Sequence, residues 1–205
     1  MNRRVLADTR GGGAAPTLVV IRGNSGSGKT TTAREVRRRY GRGCALIEQD
    51  QERRIVLREH DSGRSDPVAP IFITDGVRSA LRLGYHVILE GILHSDRYGE
   101  PLRELMAEHD GPARAFYFDL SLEETLRRHR GRPEPVSFTE DDVRGWYSPR
   151  DLLGVPGEHV LDAAGSLEVN IATILHLSGL GAASPLTPCP TRCPHCAEEA
   201  AAAPT

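Results

Sequence analysis

At 205 residues, with 39 % hydrophobic and 26 % charged side chains, the chain has the size and balance of one globular domain that can bury a core. Its formal charge of −2 argues against a long polyanion, so nucleic acid is not an expected partner. No run approaches the roughly 18 apolar residues of a membrane span, and Cys44 with the tail thiols Cys189, Cys193 and Cys196 forms no disulfide framework. The basic start, Arg3-Arg4, runs into glycines rather than an apolar stretch, so a cytoplasmic protein is expected.

In chain order, residues 1–16 are Gly/Ala/Arg-rich and read as a disordered leader. Thr17 to Arg22 is a short β-branched run, a buried strand, and a Gly/Ser loop leads to a helix over Lys29–Tyr40 that stops at Gly41 and Gly43. Cys44–Glu48 predicts a second strand, and Gln49 to Glu59 a polar helix or loop. Asp66-Pro67 opens a helix to Leu83, since proline suits a first turn. Tyr85–Glu90 is a third strand broken by Gly91; a helix follows over Glu100–Glu108, with Pro101 near its start. Ala113–Phe118 is a fourth strand, Ser121 caps a helix to Arg130, and Thr139–Trp146 is a further helix. His159–Leu161 is a fifth strand, Ser166 caps Leu167–Leu177, and residues 179–205 read as a disordered Cys/Pro/Ala-rich tail. Short strands alternating with helices predict a parallel sheet covered on both faces, an α/β fold with its domain over residues 17–178.

Gly23-Asn24-Ser25-Gly26-Ser27-Gly28-Lys29-Thr30 fits G-x-x-x-x-G-K-[ST] at every defined position. The pattern serves a strand that must turn sharply into a helix so that successive backbone N–H groups face phosphate oxygens. Glycines allow the positive φ angles and the close approach, and the helix terminus adds partial positive charge. Gly23 through Thr31 therefore line a nucleotide site, with Lys29 reaching the β- and γ-phosphates and the Thr30 hydroxyl on Mg²⁺. Of 26 basic residues only Lys29 is lysine, and it falls in the one slot where a compact ammonium is required.

With no second lysine there is no N-K-x-D guanine reader, and no L-S-G-G-Q signature occurs. The chain resembles small bacterial P-loop kinases, a group labelled AAA-type ATPases and akin to zeta toxins and chloramphenicol phosphotransferases. The likeness rests on Gly23–Thr30, Glu48-Gln49-Asp50, Val87–Leu93, Arg128–Pro133 and Trp146-Tyr147. It implies a three-layer P-loop NTPase fold of the nucleoside-monophosphate-kinase type, strand order 2-3-1-4-5, with an Arg-bearing lid over about residues 128–148. It also implies ATP and Mg²⁺ as cofactors and transfer of a phosphoryl group to a small-molecule hydroxyl, on a nucleoside, sugar, antibiotic or UDP-amino sugar.

Residue chemistry agrees with those roles while leaving choices open. Asp50 lies just beyond the second strand, where ligands bind in such sheets; it is either the general base for the acceptor hydroxyl or a helix N-cap. Glu90 ends the third strand at the Walker-B position and holds either Mg²⁺ or substrate, with Gly91 leaving room. Arg128 and Arg132 can meet the charge of the transferred phosphoryl group, or simply complement a helix end, whereas Arg127 reads as solvated. Gln49, Arg53, Arg54, His94 and Tyr98 are placed on the acceptor side, although Arg53 equally reads as a solvated face and His94 and Tyr98 as core packing. Trp146 and Tyr147 either stack on a ligand or pin the lid to the core. Cys189, Cys193, His195 and Cys196 sit too close together to close a zinc tetrahedron easily. Two other readings stay open: a polynucleotide end kinase and a non-catalytic ATP-binding switch.

Overall fold

The computed structural model describes residues 15–59, 68–131 and 138–183. Arg132, the expected helix start at Asp66-Pro67, the Cys189/Cys193/His195/Cys196 tail and nearly all of the expected leader lie outside the described residues.

Strand β1 (Leu18–Gly23) is buried at every position, as a strand flanked on both sides and covered on both faces must be. It pairs in parallel with β3 (His86–Glu90) on one side and β4 (Ala113–Asp119) on the other. Strands β2 (Cys44–Glu48) and β5 (Glu158–Asp162) complete a five-stranded sheet of order β2-β3-β1-β4-β5, the order the resemblance implies. This is the three-layer P-loop NTPase fold.

Period-two alternation along β1 divides the core. Val19 and Ile21 pack with Ala33, Val36 and Tyr40 of α1 (Lys29–Tyr40) and Ile171 and Ile174 of α6 (Leu167–Ser178). Leu18 and Val20 pack with Ile73 and Val77 of α2 (Val68–Arg82) and Leu102 and Leu105 of α3 (Ser95–Glu108). Among the described residues no helix is long and apolar enough to cross a membrane.

Four expectations shift. Helix α3 begins at Ser95, five residues before the expected start, and Pro101 lies inside it. The Asp151 carboxylate accepts from the Ser95 backbone N–H at 2.9 Å and from its hydroxyl, supplying a cap from 56 residues away. Ser166 precedes α6 but makes no side-chain cap bond, whereas Ser121 caps α4 (Leu122–Arg130) and Thr139 forms a capping box on α5 (Glu140–Trp146). Gln51–Val56 is a single π turn, a form that recurs at functional sites. The packed chain also continues past Ser178, because Leu180 is buried in the core.

Candidate active site

The loop between β1 and α1 turns through three glycines of positive φ, Gly23 at 142°, Gly26 at 72° and Gly28 at 91°. Gly23 has a second constraint, since a Cβ there would lie 2.6 Å from the Phe118 carbonyl oxygen on β4. No side chain caps α1 and no acid occupies its first turn, so the helix terminus offers its amides to an anion. Lys29 is buried and its Nζ donates to the Asn24 carbonyl at 2.9 Å, folding the ammonium across the loop. The Ser27 hydroxyl is buried without a hydrogen-bond partner, a polar group suited to a phosphate oxygen. Ser25 and Gly26 are half-buried on the loop's rim, and Thr31, the third residue of α1, is exposed.

Thr30 Oγ1 donates to Glu90 Oε1 at 2.9 Å, joining the loop to the end of β3. Burial raises the Glu90 pKa above the usual carboxylate range; Lys29 and the Thr30 bond pull it back, while Glu48 and Asp50 push it further up. A hydroxyl and a carboxylate at this spacing are the hard oxygen donors Mg²⁺ takes beside nucleotide phosphates, so the residues fit the ion. The raised pKa has a thermodynamic sign. Between the unfolded and folded pKa values the native state binds more protons, so ionising Glu90 weakens the fold as pH rises through that window. Glu90→Gln is therefore expected to match the wild type in urea unfolding at acid pH and to exceed it at neutral pH. A variant less stable than wild type at neutral pH would contradict this assignment.

Asp50 is exposed, with backbone angles already helical and no side-chain cap bond, so the capping alternative drops out. Its Oδ1 instead accepts from Arg54 Nε at 3.2 Å. Gln49 is buried rather than open to an acceptor: its Oε1 accepts from the Leu93 N–H at 3.1 Å, and its side chain hydrogen-bonds Tyr98. The space above Gly91, expected to be free for substrate, is filled by this Gln49 side chain, which a Cβ on Gly91 would strike. Tyr98 is buried on α3, with its pKa raised by desolvation, and Arg53 lies near enough to act on it. His94 is half-buried, and burial lowers its pKa; its Nδ1 is 3.9 Å from Asp151 Oδ2.

Arg128 stands against the loop, donating to the Gly26 carbonyl at 3.2 Å, to Glu124 at 2.7 Å and to the Ala163 carbonyl at 2.8 Å. Arg127 is exposed and paired with Glu124, and the two arginines hold the Glu124 carboxyl down to about 2. Tyr147 pins its segment by donating to the Leu120 carbonyl, while Trp146 packs against Phe138 and faces Arg54.

Three features escaped the sequence reading. Arg22, wholly buried at the end of β1, donates twice to the Leu93 carbonyl and pairs with Asp151 at 2.9 Å. The Asn24 amide forms a two-point contact with the Ser148 backbone, at 2.8 and 2.9 Å, fastening the phosphate loop to the chain after α5. Asp151 serves both α3 and Arg22. Only Arg22 carried a local signal, a charge within an otherwise apolar strand; the partners of Asn24 and Asp151 are more than 50 residues away.

Residues 18–145 match the model of the AAA_33 family, described as an AAA domain. No curated protein matches the sequence significantly. Among solved structures, a sugar kinase from Janibacter sp. HTCC2649 superposes with a TM-score of 0.65 at 20 % identity, over 84 % of this chain and 99 % of that one. The Mycobacterium tuberculosis APS kinase in complex with AMPPNP and APS gives 0.63 at 19 % identity, over 80 % and 98 %. Shikimate kinase from Acinetobacter baumannii gives 0.56 at 20 % identity, over 79 % and 92 %.

Proposed function

The chain belongs to the AAA domain family, and from that premise we propose that it is an ATP- and Mg²⁺-dependent phosphotransferase acting on a hydroxyl of a small molecule. The observation that carries the reading is the Thr30–Glu90 contact at the lip of the glycine loop, with Asp50 close enough to act on the same carboxylate. A pure anion site needs the loop alone. A transfer site also needs a base for the acceptor hydroxyl, and the closeness of Asp50, just beyond β2, to Glu90 at the end of β3 supports that reading.

In this reading the amides and glycines of Gly23–Thr30 hold the triphosphate, Ser27 donates to a phosphate oxygen, and Lys29 neutralises charge between the β and γ positions. Mg²⁺, held by Thr30 and Glu90, would screen the phosphates and draw charge from the leaving oxygen. Asp50 takes the proton as the acceptor oxygen bonds to the γ-phosphorus; the bond to the β-bridging oxygen breaks and ADP leaves. Arg128 meets the phosphoryl charge from the loop's outer side, Arg132 is the second arginine of an Arg-bearing lid, and Arg53, His94 and Tyr98 line the acceptor side. The names of the sugar and shikimate kinases support a small hydroxyl-bearing acceptor.

The test is ADP release from Mg·ATP against a panel of nucleosides, sugars, aminoglycosides, chloramphenicol, UDP-amino sugars and a 5′-hydroxyl oligonucleotide. Stimulation by one small hydroxyl compound is expected. Stimulation by the oligonucleotide alone, collapsing with salt, would identify an end kinase instead, and tight ATP binding without stimulation by any acceptor a switch.

A further inference from the structure

We infer that Arg54 is a positioning residue that aims Asp50 and is itself braced by the indole of Trp146; this rests on the reading of Asp50 as the base. The π turn carries Asp50 at its entry and Arg54 within it, and Arg54 Nε reaches Asp50 Oδ1 at 3.2 Å. Such a pair is weak alone. The Asp50 carboxylate is 74 % exposed, and an ion pair between exposed side chains contributes about 0–1 kcal/mol. A second partner changes this. The Arg54 guanidinium carbon lies 6.0 Å from the centroid of the Trp146 ring on α5, within range of a cation–π contact.

Trp146 is fixed in turn. It packs on Phe138 with ring centroids 5.2 Å apart, and Phe138 stacks on His129 of α4 at 5.3 Å. One residue before His129, Arg128 touches the phosphate loop at Gly26. A guanidinium that can lie flat on an indole while its edge N–H points at a carboxylate satisfies both partners at once, which an ammonium does less well. The result is a contiguous row from the phosphate loop through α4, Phe138 and α5 to the π turn. Through Arg54 it sets the Asp50 carboxylate. Because a misplacement of about 1 Å can cost two orders of magnitude in rate, even a weak brace matters for a base on an exposed turn.

Trp146 is the only tryptophan in the chain, so the contact can be read without turnover. Acrylamide quenching of the full-length wild type is compared with Arg54→Ala and Arg54→Lys, beside ADP release from Mg·ATP for these and for Trp146→Leu, Trp146→Phe and the Arg54→Ala/Trp146→Leu double variant. Expected are greater quenching in Arg54→Ala and about a tenfold fall in kcat for Arg54→Ala and for Trp146→Leu, with KM for ATP unchanged. The double variant should be no slower than the slower single one, and Trp146→Phe and Arg54→Lys should recover part of the rate. Unchanged quenching, multiplicative losses in the double variant, or an effect on KM alone would overturn the inference. If Asp50→Asn is itself without effect while quenching responds to Arg54→Ala, the base assignment fails and the positioning role with it. If Asp50→Asn is damaging and the Arg54 variants are silent, only the positioning role fails.

Discussion

Asp50→Asn is expected to lower acceptor-dependent ADP release by about two to four orders of magnitude, the usual contribution of a positioned general base, while ATP binding holds. The side chain is exposed and accepts a hydrogen bond from Arg54, so the amide should fold as the acid does, within about 0.5 kcal/mol by urea unfolding. A second signature separates loss of a base from loss of a generic charge. The Asp50 charge helps to raise the Glu90 pKa, so removing it lets Glu90 ionise at lower pH. Mg·ATP binding, titrated from acid upward, should then begin at lower pH in the variant than in the wild type. An unchanged rate with an acceptor that stimulates the wild type would move the base elsewhere. An unchanged acid limb would mean that the two carboxylates do not sense each other in solution.

How much of this is visible in the sequence depends on how far each signal travels along the chain. The phosphate loop is wholly local: the glycines, the ammonium and the hydroxyl sit within eight successive residues, and the geometry they require is set by φ angles and one close approach to β4. The strands are legible for a similar reason. Each is an apolar run bounded by glycine or polar residues, and all five fall where the run predicts to within a residue or so. Helix α3 fails the local test because the partner that starts it, Asp151, comes from a loop beyond α5. Gly91 fails in a more instructive way. A glycine after the acidic strand end reads as room for a ligand, yet the structure spends that room on Gln49, whose amide joins the end of β2 to the chain after β3.

The candidate site is legible as a list of residues and not as an arrangement. Thr30 and Glu90 are 60 residues apart and meet at 2.9 Å only because β1 and β3 are neighbours in the sheet, an order that pattern alone does not dictate. The arginine cluster shows the limit most clearly. The sequence singles out Arg128 and leaves Arg127 to solvent but names no partner for either; in space Arg128 touches the loop, Arg127 faces solvent beside Glu124, and Arg130 pairs with Glu140 of α5.

Arg22→Met should be the most destabilising single change in the buried polar framework, costing about 3–5 kcal/mol, because it strips the donor from a buried ionic cluster instead of replacing the cluster whole. The guanidinium is wholly buried. Burial lowers its pKa, and Asp151 and Glu158 oppose the fall by keeping opposite charge beside it. Its donors satisfy the Leu93 carbonyl, the Asp151 carbonyl and the Asp151 carboxylate, with Glu158 3.7 Å away. Methionine matches part of the volume and none of the hydrogen bonds, leaving the Leu93 and Asp151 carbonyls without these donors and the Asp151 carboxylate, still bonded to Ser95, without its counter-charge. For a domain of this size the loss corresponds to a fall in Tm of about 10 °C. Adding Asp151→Asn to Arg22→Met should return part of that loss, since it removes the orphaned charge while keeping an acceptor for the Ser95 N–H. If the double variant is no more stable than Arg22→Met, the penalty comes from packing around the aliphatic stem and not from stranded charge. The site should feel the same change. Arg22 adjoins Gly23, and its Leu93 contact holds the chain that leaves Glu90, so Arg22→Met should also weaken ATP binding at temperatures where the variant remains folded.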